Sequence, residues 1–114
     1  RVGTYSFCSG GSKFGQDIPP YTICQGVPSK LRGLNLVGLE RASFSKSAIA
    51  NIKVAYRKFF LSKGNGDRIE RLKNAFDELP PEVQVFLDFV SKPSERGIMH
   101  PNLRAKSSDS TLSE

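Results

Sequence analysis

A six-residue period at the start of the chain constrains its fold more than any other feature. Val2, Cys8, Phe14 and Pro20 recur at that interval, and Ser6, Ser12, Ile18 and Cys24 follow four places later. An apolar residue followed by a small or β-capable one at this spacing is the pattern of a parallel β-helix. Each short strand sends one side chain into a narrow interior, and the small residue lets the backbone turn the corner. Three such units close one triangular coil, so residues 2–19 would make about one coil. A single coil cannot bury its own faces and needs neighbours. A Gly-rich loop with chance spacing is the competing reading.

The period ends at Asp17-Ile18-Pro19-Pro20-Tyr21. Paired prolines hold the backbone extended and bias the residue before them away from helix. They read as a rigid exit, followed by a turn at Gln25-Gly26-Val27-Pro28. Helical patterning then takes over. A short helix is expected at about Asn35 to Ala42, with Asn35 as its N-cap. Ser45 would cap a second, whose Ala48, Ile49, Ile52, Ala55, Tyr56, Phe59 and Phe60 form a buried stripe; Gly64 would stop it. A third would start at the Asp67 and Glu70 capping pair and bury Ile69, Leu72, Ala75 and Phe76. A fourth would carry Pro81 in its first turn and bury Val83, Phe86, Leu87 and Val90. The expected organisation is a β-helix end over 1–32, a helical domain over 33–92, and a tail over 93–114 whose Ser-rich end is too polar to order itself.

The net charge of +6 is unevenly spread. From Gly26 to Phe76 there are eleven bases and three acids, a local +8, whereas Asp77 to Val90 holds four acids and no base. A basic surface suits an acidic partner such as a phosphate group, an anionic lipid or an acidic protein, or is simply a solvated face. There is no zinc-finger, helix-turn-helix or aromatic-plus-basic pattern of nucleic-acid binders. No apolar run is long enough to span a membrane. The opening Arg1-Val2-Gly3-Thr4 lacks the apolar stretch of a signal peptide and reads as the middle of a protein. Cys8 and Cys24 make neither a disulfide framework nor a metal motif, and are expected to be ordinary core thiols in a reducing compartment.

These residues carry a family resemblance. Asp17-Ile18-Pro19-Pro20-Tyr21-Thr22-Ile23, Gln25-Gly26, the run Lys30-Leu31-Arg32-Gly33-Leu34-Asn35-Leu36-Val37-Gly38-Leu39-Glu40-Arg41, Phe44-Ser45 and Ala55-Tyr56-Arg57 resemble the end of the bacterial UDP-N-acetylglucosamine O-acyltransferases. Pro81-Glu82-Val83 before Phe86, and Arg96-Gly97-Ile98, extend the likeness to about residue 99. The resemblance implies the last coil of a left-handed parallel β-helix followed by a four-helix domain, in a cytoplasmic homotrimer with active sites between subunits. It implies transfer of a 3-hydroxyacyl chain from acyl carrier protein to the 3-hydroxyl of UDP-N-acetylglucosamine, the first step of lipid A biosynthesis, with no cofactor or metal.

The family's general base is a histidine on the β-helix, with no counterpart among these residues, so the segment alone is expected to be inactive. His100 lies in the tail and reads as an ordinary surface histidine. By resemblance Asn35 and Arg41 contact the UDP portion, with Gln25 at the same junction. An Arg suits phosphate through its planar fork. Capping alone for Asn35 and a plain surface charge for Arg41 are the competing readings. Phe7 and Gly10 match positions near the acyl groove, although Gly10 also fits a β-helix corner. Lys53 matches a basic position facing the acidic carrier protein. Val37 stands where an acid is common, Ala42 where a second Arg is common, and Pro28 where some members have His. These departures leave open a different sugar nucleotide; a non-catalytic basic binding module is the other alternative.

Overall fold

The computed structural model describes residues 1–8, 15–26, 29–61, 67–94 and 97–101. Gly10, Pro28, Gly64 and the Ser-rich tail lie outside the described residues.

The β region is a three-stranded sheet of β1 (Phe7–Cys8), β2 (Thr22–Gly26) and β3 (Ser29–Leu34), in that order. β1 runs parallel to β2, with Phe7 beside Ile23 and Cys8 beside Cys24. Three six-residue units would place a residue beside one roughly 18 positions on. The observed partners are 16 apart, at Cys8 and Cys24, and Val2 pairs with Ile18 in the same sense. The prolines explain the difference. At the longer offset Val2 would face Pro20, which has no N–H to donate. At the observed offset the Ile18 N–H donates to Arg1 O (2.8 Å) and Ile18 O accepts from Gly3 N–H (2.7 Å). Gly3 is needed here, because a Cβ on it would fall onto the Pro19 and Pro20 main chain.

Two expectations are corrected in this region. Cys8 and Cys24 are joined as a disulfide, not free thiols. Their pairing across adjacent parallel strands brings the Cα atoms to 4.7 Å, within the range a disulfide spans. Ser29–Leu34, which straddles the expected start of the helical domain at 33, is a strand antiparallel to β2, and the helix expected from Asn35 follows it. Its burial alternates, with Ser29, Leu31 and Gly33 buried and Lys30 and Arg32 exposed, as one side of a sheet facing a core requires.

Four α-helices follow among the described residues: α1 (Leu36–Arg41), α2 (Lys46–Tyr56), α3 (Arg68–Asn74) and α4 (Pro81–Ser91). Their starts are set by side-chain caps that take up otherwise unpaired N–H groups. Asn35 Oδ1 accepts from Gly38 N, Ser45 Oγ from Ala48 N and Asp67 Oδ1 from Ile69 N. Pro81 opens α4, and Lys92 turns to extended backbone before Pro93. α2 runs on into a π-helical turn, Arg57–Leu61. Phe59 and Phe60 are adjacent in sequence and both are buried there. They pack edge-on to each other and to Phe86 of α4.

One core joins the regions: Ile18, Tyr21, Cys24 and Leu31 from the β side and Leu39, Ile52, Tyr56, Leu72, Val83 and Phe86 from the helices. Gly97–Pro101 closes it as a strap. Asp17 N donates to Gly97 O (2.9 Å), Met99 N to Asp17 O (2.8 Å) and Leu31 N to His100 O (3.2 Å). Met99 is wholly buried beneath it. His100 is therefore no ordinary surface residue: it is half-buried, its ring edge-on to Phe60 at 5.2 Å.

Candidate functional site

Asn35 sits where β3 passes into α1, and it holds three segments at once. Its N–H donates to Tyr21 O (2.7 Å), its Nδ2 to Tyr5 O (2.9 Å), and its Oδ1 accepts from Gly38 N (3.1 Å). Tyr5 and Tyr21 both have left-handed backbones, φ 59° and 70°, a conformation that costs a non-glycine residue about 1–3 kcal/mol. Both carbonyls end on Asn35, which helps hold them there. The two rings lie nearly parallel, 6.5 Å apart, and both meet Phe44 edge-on. Tyr21 Oη donates to Glu82 O (2.7 Å), tying this junction to α4. Burial, with the Glu82 charge and Tyr5 adding to it, pushes the Tyr21 phenol up to about 12, so it stays a donor. Gly38 must be glycine because a Cβ would run into the Asn35 side chain.

Two shallow cavities flank α1. One, about 250 Å³, is lined by Ile23, Arg32, Gly33, Leu34, Asn35, Leu36 and Val37. The other, about 220 Å³, lies between α1 and α2 and is lined by Leu36, Glu40, Lys46, Ile49, Ala50 and Lys53. The first sets Arg32 against an apolar wall and the second sets Lys46 and Lys53 there beside Glu40, which suits a ligand with an apolar part and an anionic group.

The sequence candidates distribute unequally over this ground. Asn35 and Lys53 line different cavities on either side of Leu36. Arg41 is exposed as the last residue of α1 and lines neither. It lies four residues beyond Val37, so both are on one exposed helix face. Phe7 is 56% exposed, beside Ile23 of the first cavity. Gln25 is exposed on β2 opposite Lys30, away from both cavities. Arg32 lines the Asn35 cavity and was no sequence candidate. The strand-like alternation of Lys30-Leu31-Arg32-Gly33 was the signal that points it outward.

The family model described as Udp N-acetylglucosamine O-acyltransferase, domain 2, matches residues 17–99. The chain belongs to the UDP-N-acetylglucosamine O-acyltransferase family. An acyl-[acyl-carrier-protein]–UDP-N-acetylglucosamine O-acyltransferase of Syntrophobacter fumaroxidans is 41% identical over 99 residues, covering 85% of this chain and 38% of the relative. Among solved structures, the UDP-N-acetylglucosamine acyltransferase of Bacteroides fragilis superimposes with a TM-score of 0.78 at 40% identity, covering 88% of this chain and 39% of that one. The Arabidopsis UDP-N-acetylglucosamine acyltransferase gives 0.75 at 36% identity, covering 86% and 37%. The chain thus spans well under half the length of these relatives. For a member of this acyltransferase family, Val37 is notable: it is 60% exposed at the rim of the Asn35 cavity and offers no hydrogen bond there.

Proposed function

We propose that this chain is the C-terminal portion of an acyltransferase that moves a 3-hydroxyacyl group from acyl carrier protein to the 3-hydroxyl of UDP-N-acetylglucosamine, the opening step of lipid A biosynthesis. The family match over residues 17–99 carries the reading. The parallel pairing of β1 with β2 supports its place as the last coil of a β-helix, with the helical domain after it. Stacking of further coils on Phe7 and Val2, both exposed and apolar, suits a longer helix in a cytoplasmic homotrimer.

In the reaction, the sugar oxygen attacks the thioester carbon, the C–S bond breaks, and the carrier thiol leaves with a proton. The base that takes the sugar proton lies outside these residues. What this segment contributes is binding. Arg41 pairs its guanidinium with the nucleotide phosphates. Asn35 holds the start of α1, and so Arg41, in register with the coil through Tyr5 and Tyr21. Gln25 as a nucleotide contact, and Phe7 and Gly10 as acyl-groove positions, rest on the family likeness alone. Lys53 faces the acidic carrier protein, with long-range charge raising the encounter rate. The exposed Val37 favours a second reading in which the sugar nucleotide differs from UDP-N-acetylglucosamine.

The test uses the full-length enzyme with both substrates. Arg41→Gln is expected to raise KM for the sugar nucleotide about tenfold, the loss of one charged hydrogen-bond pair, with little change in KM for acylated carrier protein. An unchanged KM for the nucleotide would refute the role of Arg41. Residues 1–114 alone are expected to give no turnover, and turnover would refute the placement of the base.

A further inference from the structure

Near where the strap crosses β3, Arg68 of α3 contacts His100 of the strap, and Lys30 of β3 is one residue from the Leu31 N–H that holds His100. Lys30 is exposed on β3, next to Leu31, whose N–H holds the strap at His100. Arg68 is the first residue of α3 and is exposed. His100 contacts Arg68, and its ring meets Phe60 edge-on.

The Arg68–His100 geometry leaves donors unused. Arg68 Nη1 is 3.3 Å from Nδ1 and 3.2 Å from Nε2 of the same ring. An atom that near both nitrogens lies off the ring plane, because in the plane it would collide with Cε1. Nη1 therefore sits over the imidazole face, and Nε and Nη2 of Arg68 have no hydrogen-bond partner among the described residues. Nor, among the described residues, is a carboxylate paired with Lys30 or Arg68. Among the described residues Arg1 pairs its terminal amine with Asp17, whose main chain bonds to Gly97 and Met99 of the strap. Asp67, beside Arg68, is engaged in capping Ile69 N (2.9 Å), and Glu70 is exposed a turn further on.

Partial burial first, and then the charges of Arg68 and Lys30, hold the His100 pKa below the usual histidine range. An anion seated among the three would offset those charges. We propose that Lys30, Arg68 and His100 form a binding site for a phosphate group. Three donors approaching from a strand, a helix and a strap match an acceptor with three or more oxygens better than the two of a carboxylate. The Arg fork and the Lys point charge are the two side chains most used for phosphate. The site shares no residue with the proposed nucleotide contacts at Asn35 and Arg41.

Calorimetric titration of the full-length protein with inorganic phosphate, at constant ionic strength set by chloride, tests this. Saturable binding is expected, about tenfold weaker in Arg68→Gln and in Lys30→Gln and retained in Arg68→Lys. As pH falls and phosphate itself takes up a proton, binding should weaken less in the wild type than in His100→Gln, because His100 gains charge on the site. Two further arms identify the source. Glycerol phosphate competing while phosphatidic acid vesicles do not sediment with the protein means a soluble phosphate ester. Co-sedimentation lost in Arg68→Gln means a lipid headgroup. Absence of saturable binding, or binding equally strong in Arg68→Gln and Lys30→Gln, overturns the proposal as an adventitious ion only. Phosphate binding lost in Arg41→Gln but not in Arg68→Gln also overturns it, while leaving the nucleotide reading intact.

Discussion

The β region and the helical region of this chain are held together by different means. Each helix start among the described residues is settled within a few positions of itself, at Asn35, Ser45, Asp67 and Pro81. In the β region β2 pairs with β3, its neighbour in the chain, but β1 and the residues before it depend on distant partners. β1 is two residues long and meets its partner 16 residues away. Its tyrosines are kept in left-handed backbones by a residue on the far side of β3, Asn35. The contrast teaches where each region is vulnerable: the helices in their shared core, the sheet in its few long-range ties.

Removing a core aromatic should break the helical side most severely. Phe60 is 3% exposed and touches Tyr56, Phe59, Phe86 and His100. Phe60→Ala is expected to cost about 3–5 kcal/mol in urea unfolding. A loss below about 1 kcal/mol would mean that this cluster is not the common core.

Reducing the Cys8–Cys24 disulfide attacks the sheet instead. The loop it closes is close to the size for which chain entropy is worth about 3 kcal/mol. Hydrogen exchange should quicken at Ile18 and Tyr21, whose N–H groups bond back to Arg1 and Thr4, while helical circular dichroism stays unchanged. Equal loosening of α2 and α4 would show that the two regions unfold as one unit.

The smallest effect expected concerns the strap that joins them. His100 has a lowered pKa, from burial first and then from Arg68 and Lys30. The folded state therefore prefers the neutral ring. Its contribution is full above the unfolded value of about 6.5 and is lost as pH falls toward the lowered folded value. Stability of the wild type should drop over that window by more than that of His100→Gln. Identical pH profiles would remove His100 from the account.

Much of this contrast could be read in advance on one side only. The caps at Asn35, Ser45 and Asp67 and the buried positions Ile52, Tyr56, Phe60, Val83 and Phe86 follow a period of three to four residues that any window of the sequence shows. β3 was hidden because Gly33-Leu34-Asn35 lies at the edge of a helical pattern, and a six-residue strand is too short to dominate a window. The disulfide was hidden because only strand register tells which residues are neighbours. His100 looked like part of a polar tail, since nothing near it in sequence signals Phe60 or Arg68. Of the site, Asn35 was visible, but not its hold on Tyr5 and Tyr21, and Arg32 was missed with its strand.

By itself the sequence determined the four helices, their caps, the buried faces of the second and fourth, and the family, because local spacing and motif order carry that information. The tertiary structure alone decided the 16-residue offset of the coil, the Cys8–Cys24 link, the strap over Met99, the junction at Asn35 and the meeting of Lys30, Arg68 and His100. Each of these depends on residues far apart in the chain, and such contacts are chosen by packing and hydrogen-bond pairing across the whole core, which leave no periodic trace along the chain.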